Sequence, residues 1–179
     1  MFKNRLQKFL IVFSLFLMVV VPLCAGQNYN FGFAFADIPT FKPCIGASAE
    51  YVSTPDFRYS QPPVTMAYGA RGDFAVAGLD IDGMMLSLIT GGGTKVYANE
   101  NLSVTLYAGP SFLFYMGNGK NGSLEADTGL GVGMAGNVAY SFSNPGFVLK
   151  TGVWANCALV LTNTRPFAFG ADISVGVTY

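Results

Sequence analysis

The chain contains no histidine. Imidazole is the one side chain whose ordinary pKa lets it shuttle protons near neutral pH. Without it, neither a Ser–His–Asp nor a Cys–His arrangement can be assembled. The few cysteines and scattered acids show no metal-ligand spacing. We therefore read no catalytic residue, no metal site and no cofactor, and expect no enzyme. Charge is the second scarcity. Charged residues make up 11% of the 179 positions, against about 25% in soluble domains. No basic patch stands out, so nucleic acid is not an expected partner. Long apolar runs are also missing. Beyond residue 26 no apolar run reaches the length of about 18 residues that a membrane-spanning helix needs. Yet 51% of the chain is hydrophobic and 15% is aromatic. If this composition belongs in lipid, a closed β-barrel is the remaining way to satisfy every backbone group there.

The one continuous apolar run is at the N-terminus. Lys3, Arg5 and Lys8 precede the apolar stretch Leu10 to Leu23, and Cys24-Ala25-Gly26 follows with small residues. This order predicts a cleaved secretory signal peptide over 1–26 and a single mature domain over 27–179. Cleavage falls after Ala25 or Gly26; Val21-Pro22-Leu23-Cys24 is a poor lipidation box and the competing reading. Removing the signal leaves seven basic residues against ten acidic ones, a net charge of −3. Cys44 and Cys157 remain, on strands with opposite facing, and are read as two free thiols.

After the signal, hydropathy alternates with a period of two, the mark of strands with one apolar face. Phe167 to Tyr179 is the clearest case. Phe167, Phe169, Ala171, Ile173, Val175, Val177 and Tyr179 alternate with Ala168, Gly170, Asp172, Ser174, Gly176 and Thr178. Seven earlier strands follow the same rule: 28–37, 44–53, 64–76, 84–98, 102–116, 123–142 and 147–161. Asn99 to Asn101 and Ser143 to Pro145 read as tight turns at the end where the chain termini lie. Prolines at 39, 43, 55, 62 and 63 mark loops, as does Gly117 to Gly122. Gly91-Gly92-Gly93 leaves an alternative open: as a hairpin turn it would raise the count from eight strands to ten. The preferred fold class is all-β, a transmembrane antiparallel up-and-down β-barrel of eight strands.

Faces assigned from apolar residues alone also sort the charges. Glu50, Arg71, Asp73, Lys95, Glu125, Asp127, Lys150 and Asp172 all take inward parity. A Lys or Arg facing mid-bilayer would cost roughly 2–4 kcal/mol, so this sorting supports the register. These residues form either a charge-compensated plug or a narrow solute path. An eight-stranded barrel is just wide enough for side chains to fill, which favours the plug. Two motifs lose to the same frame. Gly131-Val132-Gly133-Met134-Ala135-Gly136 spells a dinucleotide fingerprint but has no βαβ context. Arg71-Gly72-Asp73 spells an adhesion tripeptide but falls on a strand facing inward.

The final strand resembles the C-terminal signature of bacterial outer-membrane barrels, in which a terminal aromatic after alternating apolar residues is read by the barrel-assembly machinery. On that resemblance Phe169, Ala171, Ile173, Val175, Val177 and Tyr179 would form the assembly signal. Residues 27–179 as a whole are similar to the small Gram-negative OmpA/OmpX/OmpW-like barrels, without a following peptidoglycan-binding domain. The resemblance implies a location in the cell outer membrane, with outer-membrane lipid and the assembly machinery as partners. It also implies either a structural or surface role or, as in OmpW-like and porin-like proteins, a narrow pore for small solutes. The barrel enzymes of that membrane rely on a histidine that this chain lacks.

Overall fold

The computed structural model describes residues 27–37, 44–54, 63–77, 83–118, 124–142, 146–162 and 167–178. Eight strands follow one another: β1 (Gln27–Asp37), β2 (Cys44–Ser53), β3 (Val64–Ala77), β4 (Gly83–Tyr97), β5 (Leu102–Asn118), β6 (Leu124–Ser141), β7 (Phe147–Val160) and β8 (Phe167–Thr178). Each pairs antiparallel with the next, and β1 pairs with β8 from Asn28↔Thr178 to Asp37↔Phe169, closing the barrel. Closure leaves no free sheet edge, the hazard of an open sheet. The fold is the up-and-down transmembrane barrel expected from the alternation. The signal peptide, the turn Ser143 to Pro145, most of the remaining loops and the terminal Tyr179 lie outside the described residues.

The ten-strand alternative is overturned. Gly91, Gly92 and Gly93 continue β4, facing Gly69, Tyr68 and Ala67 of β3. The same stretch does loosen the wall. The β4–β5 ladder runs to Ile89↔Ser111 and resumes at Gly92↔Ala108. Pro110, which has no N–H to donate, sits in that gap. A second irregularity lies between β6 and β7. Leu130 pairs with Val160 and Gly131 with Ala158, so Leu159 is the extra residue of a bulge.

The tight turn from β4 to β5 is fixed by one side chain. Asn99 Oδ1 accepts from the backbone N–H groups of Asn101 (2.9 Å) and Leu102 (2.7 Å). This is the Asx geometry that makes asparagine a turn residue.

The outer face of the wall is apolar, and the buried polar and charged side chains lie inside. Phe31 and Phe33 on β1, Ile45 on β2, Met66 on β3, Leu106 on β5, Met134 on β6, Val153 on β7 and Ile173 on β8 are all exposed, Phe33 at 73% and Met66 at 78%. A water-soluble monomer rarely shows a continuous apolar surface of this extent. Rings gather at the end nearer the termini, where Tyr140 meets Phe142 edge-on at 5.0 Å and Phe142 meets Phe147 at 5.7 Å. Tyr29 and Tyr51 pack at 5.3 Å at the same end. Such aromatic clusters are the material of an interfacial girdle.

Candidate functional site

The distinctive chemistry lies in the lumen, on three levels. The middle level is ionic. Arg71 of β3 makes a fork-to-fork contact with Asp73, two residues along the same strand, Nε–Oδ2 at 2.8 Å and Nη2–Oδ1 at 2.7 Å. Its Nη1 reaches across to Asp172 Oδ1 of β8 at 2.6 Å. Lys150 of β7 donates to Glu50 Oε2 of β2 in a short contact, and lies 3.7 Å from Asp172 Oδ2. Glu50 is further held by the Tyr107 hydroxyl at 2.7 Å and by Asn137 Nδ2 at 3.1 and 3.2 Å. Five charged side chains, two cations and three carboxylates, thus bridge five places on the wall, each of them buried and each in contact with a group of opposite sign. Pairing together with hydrogen bonding is the condition under which buried charge is tolerated. The guanidinium also stacks near Trp154, 5.9 Å from the ring centroid, within cation–π range.

Room for this network comes from glycine. A Cβ on Gly69 would fall 2.5 Å from the Tyr107 ring, and one on Gly170 would fall 2.7 Å from the Trp154 indole. The small inner residues are therefore the hollows into which long partners from other strands lean.

The level farther from the termini is apolar. Cys44, Ala75, Ala77, Met85, Leu113, Tyr115 and Ala168 join Ile89 and Trp154 in one buried cluster. Ile89 fills the space over Gly133, whose Cβ would lie 2.7 Å from Ile89 Cγ1. Beside the cluster, Asn156 accepts from Ser111 Oγ at 2.7 Å and donates to Ser87 Oγ and to the Phe112 carbonyl, both at 3.1 Å. The alternation did not announce this cluster. The inward parity of Lys95 carries Met85, Ser87 and Ile89 to the lumen, but with apolar residues at both parities in 84–89 nothing marks the inner ones as one end of a shared cluster.

The third level, nearer the termini, is polar and less full. A void of about 10 Å³ remains there, bordered by side chains including Asn30, Lys95, Ser103, Thr105, Asn137 and Lys150.

The expected inward charges distribute unevenly over these levels. Glu50, Arg71, Asp73, Lys150 and Asp172 come together in the middle. Lys95 is buried apart from them, its Nζ 4.9 Å from the Tyr97 ring centroid. Asp127 is buried in the outer part of β6, accepting from Thr162 Oγ1 at 3.3 Å and from the Thr128 N–H at 2.9 Å. Glu125 shares the parity of Asp127 but stands near the start of β6, paired with Gly117 of β5 beyond the reach of the β6–β7 ladder, and is exposed; it joins no interior network among the described residues. On β8, Phe169, Ala171, Ile173, Val175 and Val177 all face outward. Cys44 is buried inside, Cys157 is half-buried, and neither is in a disulfide. Gly131 to Gly136 is part of β6, and Arg71 and Asp73 are buried in β3. Among the described residues no group of acids and cysteines is arranged to hold a metal ion.

No protein-family model matches the chain, and no curated protein matches it in sequence. Solved structures do match in fold. Ail, the attachment invasion locus protein of Yersinia pestis, superposes with a TM-score of 0.61 at 11% identity, over 88% of this chain and 100% of that one. Neisserial surface protein A gives 0.54 at 17% identity, over 86% and 94% of the two chains. The N-terminal β-barrel domain of Pseudomonas aeruginosa OprF gives 0.54 at 14% identity, over 87% and 100%. The shared architecture is that of the small outer-membrane barrels.

Proposed function

We propose that this chain is an integral outer-membrane barrel with a structural or surface role and an interior closed by its own side chains. The ionic bridge from Glu50 through Lys150, Asp172 and Arg71 to Asp73 carries the reading. It crosses the lumen at mid-height, where a solute path would have to pass. The apolar cluster around Met85 and Ile89 obstructs the next level. The outward apolar face supports residence in lipid, and the fold shared with Ail, Neisserial surface protein A and the OprF domain supports the outer membrane. On this reading residues 1–26 are the cleaved export signal, and the chain is not an enzyme.

Planar-bilayer recording tests the closed interior. We expect no single-channel events above the empty-bilayer control; reproducible steps from the pure protein would replace the plug with the narrow-pore reading. The surface role has one precedent of chemistry: Ail has also been solved in complex with the heparin analogue sucrose octasulfate. The proposed assembly signal on β8 has its own test. Deleting Tyr179 should lower the amount of folded barrel in the outer membrane several-fold, read by heat-modifiable gel migration of membrane fractions. Equal levels of the deletion and the wild type would remove the signal from the account.

A further inference from the structure

The apolar outer face does not have one height all the way round. On β1 its exposed and half-buried members run over seven residues, from Tyr29 to Phe35. The next positions of that parity in the sequence are Gln27 and Asp37. On β2 the band runs only from Ile45 to Ala49, because Tyr51 is buried. On β5 every position of outward parity is apolar over fifteen residues, from Leu102 to Met116, and none is buried. On β6 the band runs from Leu130 to Phe142. In a closed barrel of eight strands β5 stands opposite β1, and β6 opposite β2. The short bands therefore share one side of the molecule and the long ones the other.

Strands rise about 3.3 Å per residue and tilt by about 40° in such barrels, so each residue adds about 2.5 Å of height. The β1 band is then about 15 Å tall and the β5 band about 35 Å, where a band of about 25 Å is usual. The two bands are also concentric. Followed once around the barrel from Gln27, by way of Ala108 on β5, the paired residues return to β1 at Asp37. A full circuit climbs ten residues along the strand. Half a circuit climbs about five, the stagger that closure of a tilted sheet requires, and puts Ala108 level with Gly32. Gly32 is the middle of the β1 band, and Ala108 lies beside the middle of the β5 band. Tilting the whole barrel would raise one side and lower the other, but would change neither height. One flat bilayer cannot fit both. A bilayer meets a short apolar wall by thinning and a long one by thickening.

We propose that the partner of the β1–β2 face is bilayer lipid drawn locally thin, so that the barrel sets up a thickness gradient between this side and the β5–β6 side. Lipid with short acyl chains fits the first side best. The inference deepens the structural role given above and rests on the outer face lying in lipid.

The test uses the wild-type mature chain in nanodiscs of dilauroyl, dimyristoyl or dioleoyl phosphatidylcholine. A water-soluble paramagnetic agent is added, and relaxation enhancement is read at the backbone amides by NMR. Ile45 on β2 leads through Val76 and Met84 to Met116 on β5. Three strands of climb, about four residues, make Phe112 its level counterpart. In dioleoyl lipid the Ile45 amide should relax several-fold faster than the Phe112 amide. The difference should shrink in dilauroyl lipid, whose thickness approaches that of the short face. Equally slow relaxation of the two amides in dioleoyl lipid would overturn the thinning alone. Equally fast relaxation would overturn it together with the lipid-facing reading. A difference that ignores acyl-chain length would come from cover by neighbouring protein segments, and would also overturn the proposal.

Discussion

The two ends of the lumen are built on opposite plans. Toward the end away from the termini, Met85, Ile89, Leu113 and Tyr115 are packed until almost nothing is exposed. Toward the other end, Lys95, Ser103, Thr105 and Asn30 surround an unfilled space. Between them lies a layer of charge that neither end could hold alone. The far end resembles the core of a small soluble protein, where shape does the work. The near end is looser, and mostly polar side chains border a small gap there. One wall of eight strands supports both because inner side chains are chosen independently of the outer face. Lipid dictates only every second residue.

Changes in each region should therefore cost different amounts, and should break this contrast in different ways. Arg71→Ala should have the largest effect. It leaves Asp73 and Asp172 buried with their main partner gone, a loss of roughly 3–5 kcal/mol, measured by reversible urea unfolding in lipid vesicles. Met85→Ala comes next, at about 2–4 kcal/mol, because it removes a fully buried side chain and leaves a cavity. It should not introduce salt dependence, which distinguishes it from Arg71→Ala. Tyr107→Phe removes one hydrogen bond to Glu50 while keeping the ring over Gly69. About 1.5 kcal/mol is expected, the low end for a bond to a charged group. Gly92→Ala is the smallest. A Cβ there meets nothing within 4 Å, and a change within about 0.5 kcal/mol is expected. If Gly92→Ala proved as costly as Met85→Ala, the division between a packed inside and a permissive outside would fail.

Most of the architecture was legible because lipid imposes a strict rule. Apolar residues at every second position fixed β2 at Cys44–Ser53 and placed the other strand ends within a residue or two. The charges sorted inward by the same parity. What parity cannot convey is who meets whom across the lumen. Glu50 and Lys150 are far apart in sequence, and their contact depends on strand tilt and closure. Arg71 and Lys150 both reach Asp172, whereas Lys95, of the same inward parity, turns toward Tyr97. Glu125 shows a related gap, since inward parity encloses a side chain only at a height where the strand is paired on both sides. The apolar cluster stayed hidden because parity sends Met85 and Ile89 inward but cannot say that Cys44, Ala75, Leu113, Tyr115 and Ala168 meet them there, and the void because an empty space has no letter. The triple glycine was ambiguous for a local reason: a turn and a tightly curved strand both favour residues without side chains.

The seam between β1 and β8 also sets an order in time. Asn28 and Thr178 are partners from opposite ends of the chain, so no part of that ladder can form until the last strand exists. Neighbouring hairpins need only short loops closed, whereas the seam requires the whole chain to be gathered first. Until then two long strands stand with unsatisfied backbone groups, one at each margin of a curling sheet. Formation of the seam should thus be the slowest step of maturation. During that interval the chain is most in need of a partner that shields both margins from other copies of itself.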